Sequence, residues 1–150
     1  MSNANQWYFA YGSNMSRAQV KQRAGDPAEE KIARLENYEV TFDKIARGAT
    51  GTANLVLSEG KVVYGVLYRL REQQLKALDR FEGVPEHYRR SELTVVDEQG
   101  KKISAQVYLA RKVRKGLKPD RLYLQRILQG AEEHHLPAEY IEQLKKVTPA

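Results

Sequence analysis

A carboxylate falls where a helix should present an apolar residue. The spacing across Leu70 to Gly83 predicts a helix whose i, i+3, i+7 stripe reads Leu75, Leu78, Glu82. The two leucines face the core, so the stripe carries the acid toward it. An unpaired carboxylate taken out of water is destabilised, and its pKa rises in response. A carboxyl that titrates near neutrality can take a proton and give it back, which makes Glu82 a candidate general acid/base. The competing reading of the same residues is a plain helix end, with Gly83 as C-cap and Glu82 turned out to solvent in the last turn.

A second group, Tyr11-Gly12-Ser13-Asn14-Met15, stands between an apolar strand and a helix. A glycine and two small polar residues at that junction leave backbone N–H groups free at the positive end of the helix dipole. Such a bend suits a carboxylate or a developing oxyanion. Ordinary N-capping by Ser13, Asn14 or Ser16 uses the same residue types and stays open as the alternative. Third, Gly83-Val84-Pro85 predicts a stiff turn that sets Glu82 and the Tyr88 hydroxyl on one side of a cleft. Nine tyrosines stand against three phenylalanines, and Tyr8, Tyr11, Tyr64, Tyr68, Tyr108 and Tyr123 read as core edges with wet hydroxyls.

Composition narrows the chemistry. With no cysteine there is no disulfide, thiolate site or cysteine nucleophile, so oxygen and nitrogen groups must do any catalysis. The three histidines, His87, His134 and His135, lack zinc spacing, and the adjacent pair reads as part of a polar turn, so no metal is expected. A net charge of +6 raises the question of a nucleic-acid partner. The densest basic run, Arg111, Lys112, Arg114, Lys115 and Lys118, holds no aromatic for base stacking and no recognition-helix pattern. It reads as a solvated loop that lends a positive field to a site for an anionic small molecule, and Arg111 to Pro119 as a side of that pocket. No secretory leader or long apolar run is found, which predicts a cytoplasmic chain without a membrane span.

The elements that must position these groups follow from period and punctuation. One domain is expected over residues 1–150, with a core of about 7–147. Trp7 to Tyr11 reads as a buried strand, and a helix from Ser16 ends at Gly25 and Asp26-Pro27. Strands are expected at Tyr38 to Asp43, Ala53 to Leu57 and Val62 to Leu70, the last two joined by a tight hairpin turn at Ser58-Glu59-Gly60-Lys61. After the Glu82 helix, Tyr88 to Asp97 and Ile103 to Ala110 form a second hairpin. Helical period returns from Asp120, with Leu124, Ile127, Leu128 and Ala131 on one face, and a last helix opens at Pro137 with Tyr140, Ile141, Leu144 and Val147 inward. Thr148-Pro149-Ala150 and the first few residues read as loose ends. This order predicts an α+β fold whose small, mostly antiparallel sheet curls into a β-barrel with flanking helices.

Three blocks in this order resemble the gamma-glutamyl cyclotransferase family: Phe9-Ala10-Tyr11-Gly12-Ser13-Asn14-Met15; Leu78-Asp79-Arg80-Phe81-Glu82-Gly83-Val84, preceded by Val66-Leu67-Tyr68; and Leu136-Pro137-Ala138-Glu139-Tyr140. The resemblance runs from about residue 7 to 147. It implies the same barrel and release of 5-oxoproline from a small-molecule gamma-glutamyl substrate, with Glu82 as acid/base. It also implies that Tyr11, Gly12, Ser13, Asn14 and Met15 bind the gamma-glutamyl moiety, together with Tyr88 and Tyr123. Ring closure uses the substrate's own amine, so the missing cysteine is no obstacle and no cofactor is implied. A relative acting on gamma-glutamyl amines or isopeptides, and a non-catalytic binder on the same fold, remain alternatives, as does a homodimer beside a monomer.

Overall fold

The structure, a computed structural model, describes residues 5–150. The expected loose N-terminal end falls largely on residues 1–4, outside those described. Five strands, β1 (Asn5–Ala10), β2 (Glu29–Ile45), β3 (Gly51–Arg71), β4 (Tyr88–Asp97) and β5 (Lys102–Ala110), close a barrel in the order β1-β3-β2-β4-β5. Every pairing is antiparallel except the closure, where Tyr8 on β1 meets Gln106 on β5 in parallel. The expected mostly antiparallel barrel with flanking helices is therefore the observed fold. Those helices are α1 (Arg17–Ala24), α2 (Glu72–Glu82), α3 (Arg121–Glu133) and α4 (Ala138–Lys145).

Two expectations fail on the long hairpin that β2 and β3 make. Glu29–Asn37 was not read as strand, because charged residues crowd it, yet Ala33 and Leu35 alternate inward and are almost fully buried. Ser58–Lys61 is no hairpin turn. Tyr38 pairs with Leu57 and Glu36 with Val62, so the segments on either side of residues 58–61 lie along the same partner strand and the four residues bulge out opposite Asn37. Asn37 and Gly60 both take positive φ there, and the Asn37 side chain accepts the Gly60 amide at 3.0 Å. The hairpin expectation fails because a bulge uses the same glycine-centred residues as a reversal.

Helix α2 starts at Glu72, two residues after the expected Leu70, since β3 runs on to Arg71. The Gln74 side chain ties the junction by accepting the Arg71 amide at 2.9 Å. Leu75 and Leu78 are fully buried, each contributing about 2 kcal/mol by removal from water. Gly83 ends the helix with left-handed backbone, and the chain passes through a cis Val84–Pro85 bond into β4. On α3, Asp120 caps as expected, accepting the Leu122 and Tyr123 amides, while Leu124, Ile127 and Ala131 face the core and Leu128 is half-buried. On α4, Tyr140 and Leu144 are buried, with Ile141 and Val147 half-buried. The expected loose C-terminal end is instead held, because the Ala150 amide donates to Pro119 O at 2.8 Å.

His134 corrects the reading of a polar turn. It is buried at the end of α3, with its ring edge-on to Tyr68 and its Nδ1 3.3 Å from Glu30 Oε2, while His135 is exposed. Among the described residues no cluster of three His, Asp or Glu side chains has metal-binding geometry, and no helix is long and apolar enough to cross a membrane.

Candidate active site

The end of β1, the bend after it, the end of α2 and the start of β3 enclose a cleft of about 330 Å³, within the usual range of small-ligand sites. The bend is built by local chemistry. Ser13–Met15 is one 3₁₀ turn, in which the Met15 and Ser16 amides donate to the Gly12 and Ser13 carbonyls at 3.0 Å. Ser16 alone caps α1, accepting the Gln19 amide. Ser13 and Asn14 do not cap, which leaves their side chains and the amides of residues 12–14 for other use. Helix α3 seats the turn. A Cβ on Gly130 would lie within 2.7 Å of the Met15 and Ser16 backbone, so only glycine lets α3 approach this closely.

Asn14 is the joint between the bend and α2. Its Nδ2 donates to Tyr8 Oη at 3.0 Å and to Glu82 Oε1 at 3.2 Å, while its Oδ1 accepts from Gln19 Nε2 at 2.9 Å and Arg23 at 3.2 Å. Two acceptors on one side and two donors on the other fix the orientation of the amide. The expected meeting of Glu82 with the Tyr11–Asn14 segment is thus a direct hydrogen bond, and the solvent-facing alternative for Glu82 is excluded by it.

Glu82 is half-buried, with the open side facing the cleft rather than bulk solvent. Burial pushes its carboxyl up to about 7; Arg23 and Lys44 pull the other way, and Asp79, one turn earlier on α2, adds to the rise. Neither cation pairs with it. Arg23 lies over the Phe81 ring, 5.0 Å from its centroid, and is bonded to Asn14; Lys44 donates to Ile45 O and sits 5.7 Å from the centre of the Tyr88 ring. Near neutral pH such a carboxyl populates both its protonated and its ionised form, the condition under which one group serves as base and then as acid.

The tyrosines are structural in a way the sequence did not suggest. Among the hydroxyls expected to be wet, those of Tyr8, Tyr11, Tyr68, Tyr108 and Tyr123 are bonded to protein: Tyr11 donates to Tyr108 O at 2.5 Å, Tyr68 to Met15 O at 2.9 Å and Tyr108 to Asp79 at 2.7 Å. Tyr88 donates to Ala53 O at 2.7 Å and meets Thr52 at 2.9 Å, while Tyr123 accepts the Ala53 amide at 2.9 Å. Two rings from β4 and α3 therefore clamp both backbone groups of Ala53, fixing the β3 wall of the cleft. Burial raises the pKa of all five cleft tyrosines, Tyr8, Tyr11, Tyr88, Tyr108 and Tyr123, so they remain neutral around Glu82.

Of the expected site residues, Tyr11, Gly12, Ser13, Asn14, Glu82, Tyr88 and Tyr123 line the cleft. Met15 does not. Its side chain is fully buried in the core, and its backbone faces Gly130 and the Tyr68 hydroxyl. The basic loop lines no part of the cleft either. It packs instead on the end of β2 and the start of β3, with the Ile45, Gly51 and Arg114 amides bonded to Lys112 O, Lys118 O and Asp43 O. Arg23, Lys44, Phe81 and Tyr8 were missed, although a lysine ending an alternating strand and an arginine in the last turn of a short helix are visible in the sequence.

Likeness to known proteins follows the same lines. Residues 62–144 match the AIG2-like family. Gamma-glutamylcyclotransferase of Homo sapiens is 34% identical over 149 residues, covering 95% of this chain and 78% of that protein, and its Bos taurus counterpart is 32% identical with the same coverage. A solved structure of a gamma-glutamyl cyclotransferase superposes with a TM-score of 0.90 at 31% identity, over 97% of this chain and 89% of that one. Sequence and barrel agree along nearly the whole chain, which belongs to the AIG2-like, gamma-glutamylcyclotransferase family.

Proposed function

We propose that this protein is a gamma-glutamyl cyclotransferase, releasing 5-oxoproline from gamma-glutamyl amino acids or dipeptides. The substrate's α-nitrogen attacks its own γ-carbonyl carbon, the new C–N bond closes a five-membered ring, and the old C–N bond to the departing amine breaks. No water is consumed. One proton must leave the attacking nitrogen and one must reach the departing nitrogen, so a single group that does both in turn balances the reaction. Glu82 fills that role, and the observation that carries the reading is its unpaired carboxyl near neutrality, held at 3.2 Å by the bend through Asn14.

The remaining residues fit as supports. Holding the substrate folded for attack can be worth roughly 7–11 kcal/mol in favourable cases, and a cleft walled by rigid, bonded tyrosines suits that task. Tyr11 and Tyr88 offer ring faces to the substrate, since their hydroxyl protons are donated to backbone carbonyls, while Tyr123, whose oxygen accepts the Ala53 amide, keeps its O–H to donate. The amides of Gly12, Ser13 and Asn14 suit an anionic oxygen, either the α-carboxylate or the tetrahedral oxyanion. Absence of cysteine supports a cytoplasmic setting, and the chemistry as written needs no cofactor. The test is 5-oxoproline formation from gamma-glutamyl-alanine by wild type and Glu82→Gln: turnover by the wild type alone is expected, and full rate in the variant overturns the role given to Glu82.

A further inference from the structure

Lys44 is a buried cation without an ion-pair partner. Its residue is 5% exposed, yet none of the ion pairs among the described residues includes it. The ammonium donates to the carbonyl of its own neighbour, Ile45, and faces the Tyr88 ring, which leaves donor capacity directed at the cleft it lines. A buried charge left in this state is costly, and the structure keeps it there by pinning both sides of the strand end. Val113 bridges to Lys44 itself, and the Ile45 amide is held by Lys112 O at 2.9 Å. Burial and the nearby Lys112 lower the pKa of Lys44 against a weaker pull from Glu82, so an arriving anion relieves a buried charge that no salt bridge yet neutralises.

Position decides which anion. Resting on the cyclotransferase reading, the glutamyl half must put its amine at Glu82, with the α-carboxylate borne by the same carbon turned to the side of the cleft that holds Asn14, Arg23 and the free amides of the bend. The departing amine then extends past the point where Ala53 meets Gly12, along the β3 side of the cleft toward Thr52, Tyr88 and Lys44. We propose that Lys44 is the specificity-determining residue behind that preference for gamma-glutamyl amino acids and dipeptides, binding a carboxylate on the departing amine.

The experiment compares kcat/KM for gamma-glutamyl-alanine and gamma-glutamyl-ethylamine, which differ by that carboxylate, in wild type, Lys44→Met and Lys44→Arg, with melting curves for each. Wild type should favour the alanine compound by about 10- to 100-fold, the range for a hydrogen bond to a charged group. Lys44→Met should bring the ratio to within about twofold of one, chiefly through KM, and Lys44→Arg should retain most of it. Equal losses on both substrates in Lys44→Met would mean that Lys44 serves the glutamyl half or Glu82, and would overturn the inference, as would a wild type indifferent to the carboxylate. No 5-oxoproline from either compound sinks the cyclotransferase reading itself, whereas turnover without a Lys44-dependent preference sinks only this inference.

Discussion

Two carboxylates lie on either side of the bend at residues 13–16, each with cations close by, and they meet opposite fates. Glu30 is gripped by Arg17 through a contact of 2.5 Å and approached by His134, and the Arg17 hydrogen bond lowers its pKa. Glu82 has Arg23 and Lys44 nearby, yet each cation is committed elsewhere, to an amide oxygen and a ring in one case and a carbonyl and a ring in the other. Burial is then left to win at Glu82 and lifts the carboxyl to about 7. A paired acid stays ionised and ties elements together; an acid denied its pair becomes able to move protons. The difference is made by where the cations are parked, not by how many there are.

Removing the acid itself gives the largest effect. Glu82→Gln keeps the shape and the Asn14 contact but cannot take a proton, so 5-oxoproline formation should fall by about 10²- to 10⁴-fold. Wild-type kcat/KM should rise with pH through about 7, and that limb should vanish from whatever rate the variant keeps. The same substitution should also stabilise. Because the folded pKa lies above that of the unfolded chain, the native protein holds a proton that the unfolded one releases, and stability declines as pH rises from about 4.5 through about 7. Glu82→Gln escapes that decline, and should gain about 1–3 kcal/mol at pH 8 and nothing at pH 4, read from denaturant midpoints. A variant less stable than wild type at pH 8 would show that the carboxylate is paired after all.

A smaller effect comes from unparking a cation. Arg23 opposes the rise at Glu82, so Arg23→Gln should push the rate-controlling ionisation upward and slow turnover at pH 6.5 by roughly threefold while the rate at pH 9 is spared. Equal slowing at both pH values would mean that Arg23 acts through Asn14 alone.

What could be read from the sequence follows the same division. Barrel, helices, Glu82 and the bend were legible because period, capping and turn chemistry are local, and a carboxylate on an apolar stripe breaks a local rule. The bulge at residues 58–61 was not, because its residues serve a hairpin equally well and only pairing with β2 decides between them. Met15 looked like a binding residue by its place in the block, yet the close approach of Gly130 turns it into core. Lys44 and Arg23 were invisible as site residues for a physical reason: their meaning lies in what they fail to pair with, and that is a property of the assembled barrel. The tyrosine hydroxyls were misjudged likewise, since their partners are mostly backbone atoms far along the chain.

The smallest predicted effect tests the other member of the comparison. Glu30 is paired and partly exposed, so its contact with Arg17 is discounted by solvent to about 0.5 kcal/mol. Its lowered pKa means that this contribution is present above the unfolded value of 4.5 and is lost as pH falls below it. Glu30→Gln should therefore lower the melting temperature by about 1–2 °C at pH 7, and by progressively less as pH falls below about 4.5. The pH at which kcat/KM turns should stay where it is, because Glu30 does not influence Glu82 and serves only to tie β2 to α1 and the end of α3. If that midpoint moved with Glu30→Gln, the two carboxylates would be coupled through the bend, and pairing on one side could no longer be treated as independent of its denial on the other.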